Sequence, residues 1–238
     1  TVTDHSDSTA LIAVQGPRAL EILQATEGFE VVEGQQNLTD LKYYWSTGAS
    51  FNGTSVFVAR TGYTSEDGFE LYLDTVDAVA LWNALLAAGA PLGLIPAGLA
   101  SRDTLRLEAG MPLYGHELGR DVLPAQAGLG RAVHFTKEGD FVGRAAAEAG
   151  PAEGSRVLVG LTSEGRRAGR AGYAVVDGDA VVGEITSGAL SPTLGHPIAM
   201  AFVDPQYSEP GTVLDIDVRG SKIPATVTAL PFYKREKN

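Results

Sequence analysis

Short apolar runs and amphipathic stretches alternate along the first 75 residues. The apolar run 10–14 predicts a strand, and the Gly16-Pro17 pair behind it predicts a helix from Arg18, because proline suits the first turn of a helix. Asn52-Gly53, a strong hairpin signal, lies between segments 43–45 and 54–59, which we expect to be strands. A mixed α+β arrangement is therefore predicted.

Two further helices are predicted after a strand over 69–73. Asp74 is a good cap for the first helix because its carboxylate can accept from backbone N–H groups. We expect one apolar stripe on that helix, formed by Val76, Val79, Trp82 and Leu86. The second helix is expected over about 99–109 and ends at Gly110.

The pattern changes beyond residue 138. An Ala/Gly/Pro-rich segment, 145–154, predicts a short helix that leads into a linker. Six short apolar runs then predict strands, at 157–161, 173–176, 180–185, 198–203, 213–218 and 225–230. We therefore predict two domains, 1–150 and 151–238, the second of which is a small all-β barrel or sandwich.

Composition excludes several classes of function. Eighteen Lys and Arg against 29 Asp and Glu give a formal charge of −11, which repels nucleic acid and anionic membrane. The absence of cysteine excludes disulfides, thiolate zinc and thiol catalysis. The apolar stretch 76–95 is interrupted by Asp77 and Asn83, and the four histidines show no metal-ligand spacing. We expect a soluble protein without a metal site, a nucleic-acid partner or a membrane partner.

The segment 60–70 is the first candidate site, because it holds three carboxylates within five positions. Such a loop is electrostatically unfavourable unless a ligand or basic groups lie nearby, although a solvated hairpin loop is the plain alternative. Glu70 lies between Phe69 and Leu71, so alternation along a strand should turn its side chain to the opposite face. A carboxylate on a rigid strand can accept two parallel hydrogen bonds from the amino–imino edge of a pterin or guanine.

Two arginines form the second candidate site. On a helix, Arg102 and Arg106 would share a face, and like charges at that spacing cost roughly 0.2–0.5 kcal/mol. An anionic group should therefore lie over them. Asp103 can neutralise Arg106, which leaves Arg102 as the candidate ligand contact. An intramolecular ion-pair network that includes Glu66 or Glu70 is the alternative, and spacing leaves both open.

Segments 60–70 and 97–115 closely resemble the T-proteins of the glycine cleavage system, which are tetrahydrofolate-dependent aminomethyltransferases. Further similar segments are 10–17, 140–143, 183–188, 191–195 and 231–233. The resemblance implies three domains around a folate channel. This chain would be the later part of that fold: the remainder of the α+β folate-binding domains, followed by a C-terminal β-barrel from about residue 155.

The resemblance also implies the ligand contacts. Glu70 is similar to the family's pterin-binding carboxylate, and the other folate contacts would be Tyr63, Arg102, Tyr44 and Tyr114. Two positions depart from the family pattern. Ser65 replaces a usual glycine, and Arg131 stands where many relatives have an aromatic residue that closes over the pterin.

The reaction that the resemblance implies transfers a one-carbon unit from the aminomethyl-dihydrolipoyl arm of H-protein to tetrahydrofolate and releases ammonia. In the family a catalytic Asp lies upstream of the segments matched here. The chain begins at Thr1 without an initiator Met and has a predicted strand already at 10–14, so we expect it to be a piece of a longer protein. The resemblance then implies that this chain holds no catalytic residue and that the chain alone is inactive. A bacterial protein would be cytoplasmic, and a eukaryotic one would lie in the mitochondrial matrix.

Three alternatives remain at this point. The first is the folate-binding module of a sarcosine or dimethylglycine dehydrogenase, or of a folate-dependent demethylase, against which segment 107–115 favours the T-proteins. A non-enzymatic folate-binding protein linked to iron–sulfur maintenance is the second, but that group uses a cysteine motif and this chain has no cysteine. The third is a non-catalytic fragment.

Overall fold

The computed structural model describes residues 1–235 of the chain and divides it into two units, Thr1–Arg102 and Asp103–Asn238. The boundary lies inside a helix, Leu99–Glu108. Each unit has its own sheet and its own hydrophobic core. The domain division at residue 150, expected from composition, stays a prediction.

An antiparallel five-stranded sheet with the order β1-β5-β4-β3-β2 forms the first unit. Its strands are β1 (Thr9–Gln15), β2 (Phe29–Val31), β3 (Ser46–Phe51), β4 (Thr54–Ala59) and β5 (Gly68–Asp74). Two helices, α1 (Ala19–Ala25) and α2 (Ala78–Gly89), accompany the sheet. The strand and helix predicted over residues 10–24 and the strand predicted at 69–73 are confirmed.

Alternation along the strands assigns one face of this sheet to the core. In β5, Phe69 and Leu71 are fully buried. Leu23 of α1 and Leu81 and Leu85 of α2 belong to the same core cluster. Burial of each such side chain contributes about 1.5–3 kcal/mol. The helices therefore pack on one face, and alternate strand residues project from the other, which we call the open face.

The β3–β4 hairpin forms at the predicted turn, but its first strand differs from the prediction. Asn52 and Gly53 have φ values of +50° and +86°, as a two-residue hairpin turn requires. Because Phe51 pairs directly with Thr54, β3 must occupy the residues just before the turn, 46–51. The strand expected at 43–45 is therefore wrong, and this segment is a turn.

The apolar stripe predicted for α2 is also wrong. Val76, Val79 and Trp82 are 81%, 71% and 41% exposed, whereas Leu81 and Leu85 are buried. The sequence of α2 is apolar on more than one face, so a helical period fits more than one apolar stripe. The stripe that packs in the core contains Leu81 and Leu85, which are four residues apart. Asp74 acts as a cap as predicted, because its carboxylate accepts from the N–H of Val76 at 3.0 Å.

The helical segment around α2 also bears on membrane association. Thr75–Leu92 is long and apolar enough to cross a membrane by length and composition, with a mean hydropathy of 1.3, although the sequence analysis had excluded such a span. It consists of a 3₁₀ turn, α2 and a second 3₁₀ turn. Only 17% of this segment is buried, and Leu81 and Leu85 are the residues of α2 that belong to the buried core cluster of the first unit.

The second unit contains a closed antiparallel barrel with the order β10-β11-β6-β9-β8-β7. Its strands are β6 (Val157–Ser163), β7 (Ala174–Asp177), β8 (Ala180–Leu190), β9 (Pro197–Val203), β10 (Val213–Val218) and β11 (Ser221–Thr228). Two helices accompany the barrel in sequence, α3 (Leu99–Glu108) and α4 (Arg144–Ala149). The first four residues of α3 belong to the first unit. Closure leaves no unpaired strand edge. The α+β class and the C-terminal barrel are confirmed.

Candidate functional site

Glu70 lies in β5 and projects from the open face of the first sheet. Its neighbours Phe69 and Leu71 are fully buried on the core side, so alternation turns the carboxylate to the other side. In the strand register, Ala13 of β1 and Ala59 of β4 flank Glu70. Because both flanking residues are alanines, the Glu70 side chain extends further from the sheet than its two cross-strand neighbours.

An apolar row runs across the same three strands next to Glu70. It is formed by Leu11, Tyr72 and Phe57, which are paired in register. Leu11 and Phe57 are about half exposed, and the rings of Phe57 and Tyr72 meet edge to face with centroids 5.8 Å apart. Burial raises the pKa of Tyr72, and the negative charge of Glu70 raises it further. The open face thus places a carboxylate beside a flat apolar surface.

Thr61 holds the Glu70 carboxylate in place. Its hydroxyl donates to Oε2 of Glu70 at 2.5 Å. Within residues 1–235, Glu70 forms no ion pair with an arginine or lysine, so the part of the ion-pair alternative that involves Glu70 is not observed. A carboxylate has about four lone-pair positions, so this side chain retains the capacity to accept from a ligand.

Tyr63 and Arg102 lie together in the first unit. The guanidinium carbon of Arg102 is 5.5 Å from the centroid of the Tyr63 ring, a cation–π distance. Arg102 is exposed in the first turn of α3, and Tyr63 is half-buried in the loop 60–67, which connects β4 to β5. Two of the predicted folate contacts are therefore in direct contact with each other.

The backbone of Tyr44 is hydrogen-bonded to Arg60, the first residue of the loop 60–67. Its N–H donates to the carbonyl of Arg60 at 3.0 Å, and Arg60 directly follows Ala59, the cross-strand neighbour of Glu70. Tyr44 is 76% exposed and has a φ of +67°. A left-handed conformation in a residue with a Cβ costs roughly 1–2 kcal/mol, and such strain is often found at functional sites.

Arg60 joins the turn that carries Tyr44 to the loop 60–67. Nη1 donates to the carbonyl of Leu41 at 2.6 Å, and Nε and Nη2 bind both carboxylate oxygens of Asp67 at 2.9 and 2.7 Å. These hydrogen bonds to Asp67 raise the pKa of Arg60. Neither Arg60 nor Thr61 is a predicted site residue, although the three carboxylates in 66–70 indicate that a basic group should lie nearby.

A buried polar network surrounds Arg106 in the second unit. Arg106 is 2% exposed and pairs with Asp103 at 2.7 Å and with the fully buried Glu117 at 3.1 Å. Ser187 accepts from Arg106 at 2.9 Å and donates to Glu117 at 2.6 Å. The predicted neutralisation of Arg106 by Asp103 is confirmed, and the second anionic group is Glu117.

The remaining predicted contact, Tyr114, belongs to the second unit. It is 70% exposed and forms an isolated bridge with Leu118. Arg131, at the position that departs from the family pattern, is exposed in a short 3₁₀ turn, Gly130–Ala132. Across residues 1–235, no group of three His, Asp or Glu side chains could hold a metal ion. Ser65, the other departure, has a φ of +65°, which glycine adopts without strain.

The fold and the site define an α+β protein with a carboxylate-centred polar site on an open sheet face, followed along the chain by a closed barrel. Comparison with models of protein families matches both parts of the chain. Residues 1–137 match the family described as the GCVT N-terminal domain, and residues 156–234 match the glycine cleavage T-protein C-terminal barrel domain. The chain belongs to the glycine cleavage T-protein family.

Individual relatives agree with this assignment. A Cutibacterium acnes protein named aminomethyltransferase is 61% identical over 236 residues, which are 99% of this chain and 63% of the relative. One from Streptomyces avermitilis is 56% identical, with 99% and 63% covered. The crystal structure of glycine cleavage system aminomethyltransferase T from Bartonella henselae superposes with a TM-score of 0.82 at 33% identity, covering 95% of this chain and 60% of that one. The chain thus spans about 63% of the length of these curated relatives.

Proposed function

We propose that the whole protein is a tetrahydrofolate-dependent aminomethyltransferase of the glycine cleavage system. It would transfer the one-carbon unit from the aminomethyl-dihydrolipoyl arm of H-protein to tetrahydrofolate, with release of ammonia and return of the free dihydrolipoyl thiol. Membership in the T-protein family and the names of the relatives support this proposal. The bacterial sources of those relatives support a cytoplasmic location.

We assign the folate site of the first unit to Glu70, Tyr63, Arg102 and Tyr44, and Tyr114 stays a folate contact that only the family resemblance implies. One observation carries the assignment. The Glu70 carboxylate projects from an open sheet face, is held by the hydroxyl of Thr61, and has no cationic partner in residues 1–235. A reduced pterin offers adjacent N–H donors on one edge, which fit the remaining lone pairs of such a carboxylate.

The other residues suit the rest of a folate. A flat pterin bound to Glu70 would lie over the alanines of its row, beside Tyr72 and Phe57. Arg102 carries a permanent positive charge for polar or anionic groups of the ligand, and Tyr63 fixes the position of that charge. The site would act by holding the folate amine in position against the incoming carbon, because orientation alone can supply a large part of such a barrier.

We propose that this chain alone does not catalyse the transfer. It spans about 63% of its curated relatives, and the catalytic Asp expected from the family resemblance would lie in the part of the relatives that this chain does not match. Lipoylated H-protein would be the protein partner of the whole enzyme. The chain would contribute binding of the folate, and the portion outside it would contribute catalysis.

Two measurements on the purified chain test the proposal. Calorimetric titration with tetrahydrofolate under reducing conditions should give saturable binding, and incubation with aminomethylated, lipoylated H-protein and tetrahydrofolate should release no ammonia. Absence of folate binding would contradict the assigned site and favour a non-catalytic fragment. Ammonia release by the chain alone would contradict its proposed inactivity. Binding without turnover, which becomes turnover in the full-length protein, is the expected result.

A further inference from the structure

Gln15 is the last residue of β1, and its side-chain amide lies against the loop 60–67 of the first unit. Nε2 of Gln15 donates to the carbonyl of Thr61 at 3.1 Å and to the carbonyl of Phe69 at 3.4 Å. Oε1 accepts from the hydroxyl of Thr64 at 3.3 Å, and Thr64 is buried, with an exposed fraction of 7%. One amide therefore connects the start of the loop, its middle and the strand that follows it.

Two glycines make room for this amide. A Cβ at Gly62 would lie 1.9 Å from Oε1 of Gln15, and a Cβ at Gly68 would lie 2.4 Å from the same oxygen. Both distances are far below van der Waals contact. Neither glycine is among the residues with a positive φ, so the backbone conformation does not demand glycine at these positions. The Gln15 amide therefore occupies the space that a Cβ at either position would need, and a side chain there would have to displace it.

We infer that Gln15 is a positioning residue of the folate site, an inference that rests on the proposed function. Thr61, whose carbonyl accepts from Gln15, donates its hydroxyl to Glu70. Tyr63, which contacts Arg102, directly follows Gly62. The amide fixes the loop that carries both groups. Gln15 thus acts on the ligand through Thr61 and Tyr63.

Hydrogen–deuterium exchange tests the contact independently of any ligand. The variant Gln15→Met keeps the length of the side chain but removes the amide. We expect faster exchange across residues 61–69 and unchanged exchange in α2. Gln24→Met is the matched control, because Gln24 is exposed on α1 and its side-chain amide makes a long hydrogen bond, 3.4 Å to Thr39. Equal exchange at 61–69 in the Gln15→Met protein and the wild type would overturn the inference.

Folate affinity tests the positioning role. Loss of these weak hydrogen bonds should raise the Kd for 5-formyltetrahydrofolate, a stable reduced folate, by about tenfold in Gln15→Met. The global unfolding midpoint should change little, and Gln24→Met should match the wild type. A lowered midpoint with unchanged Kd would assign Gln15 a merely structural role and contradict the inference. If the wild-type chain itself fails to bind, the proposed function fails and the positioning role falls with it, whereas the exchange experiment still decides whether the Gln15 amide holds the loop.

A double variant tests the explanation of the glycines. Gly62→Ala should accelerate exchange in the loop, because the new Cβ displaces the Gln15 amide. The same Gly62→Ala change should have little further effect in the Gln15→Ala protein, where the obstructing amide is gone. Equal effects of Gly62→Ala in both backgrounds would show that the glycine is required for another reason, which would refute the proposed packing.

Discussion

Glu117→Gln is the most informative test of the buried network in the second unit. Glu117 is fully buried and accepts three hydrogen bonds, from Arg106 at 3.1 Å, from Ser187 at 2.6 Å and from the N–H of Leu113 at 2.8 Å. Glutamine has nearly the same shape but no charge, and its amide group would turn a donor towards other donors. Within the described residues, Arg106 would then keep Asp103 as its one anionic partner.

The expected loss of folding stability follows from the burial of Glu117 and Arg106. Removal of one partner from a buried ion pair typically costs about 3–5 kcal/mol, because the other charge stays desolvated. Since glutamine retains one acceptor oxygen and Arg106 retains Asp103, we expect a loss near the lower end, about 3 kcal/mol. For a chain of this size, that loss corresponds to a fall in Tm of roughly 6–12 °C.

Urea and thermal denaturation followed by far-ultraviolet circular dichroism measure the loss. Both tryptophans of the chain, Trp45 and Trp82, belong to the first unit, so fluorescence follows that unit separately. The control is Glu148→Gln, which breaks an exposed pair with Arg144 and should cost about 0.5 kcal/mol or less. If Glu117→Gln destabilises the protein no more than this control, the buried pair does not hold the second unit together as described.

Three further predictions concern single sites. Ser65→Gly should raise the free energy of unfolding by about 0.5–1 kcal/mol in a urea titration, because Ser65 has a φ of +65°; an unchanged value would argue against that conformation. Glu70→Gln should lower the pKa of Tyr72 measured by ¹³C NMR, since the charge of Glu70 helps to raise it, and an unshifted pKa would contradict their proximity. A protease specific for glutamate should cut first at Glu153 if the domain boundary lies near residue 150, and first cuts elsewhere would contradict that division.

Much of the fold could be predicted from local patterns. The barrel strands were located because short apolar runs and turn residues recur at regular intervals, and the register of the first hairpin follows from the Asn52-Gly53 turn. The strand at 43–45 was wrong because its aromatic residues suit a strand, whereas the turn fixes the strand at 46–51. The inward face of α2 could not be chosen from a sequence that is apolar on several sides.

The sequence likewise predicts one part of the candidate site and not the other. The outward direction of Glu70 could be predicted because strand alternation is local. The partners of the site depend on residues distant in sequence: Gln15 lies 46 positions before Thr61, and Arg106 binds Ser187, 81 positions later. A single sequence contains no local signal for such pairs. Gly62 in the loop and Gly68 at the start of β5 can be read from the sequence, but the Gln15 side chain that packs against both cannot.

The measurement that bears most directly on the folate site is the affinity of Glu70→Ala for tetrahydrofolate, determined by calorimetry together with the melting temperature. Loss of two charge-assisted hydrogen bonds should weaken binding by roughly a hundredfold or more, with little change in stability, because this carboxylate supports no core. The control is Glu30→Ala, which removes an exposed carboxylate from β2 of the same sheet and should leave affinity unchanged. Unchanged affinity in Glu70→Ala, or a large loss of stability in its place, would contradict the account.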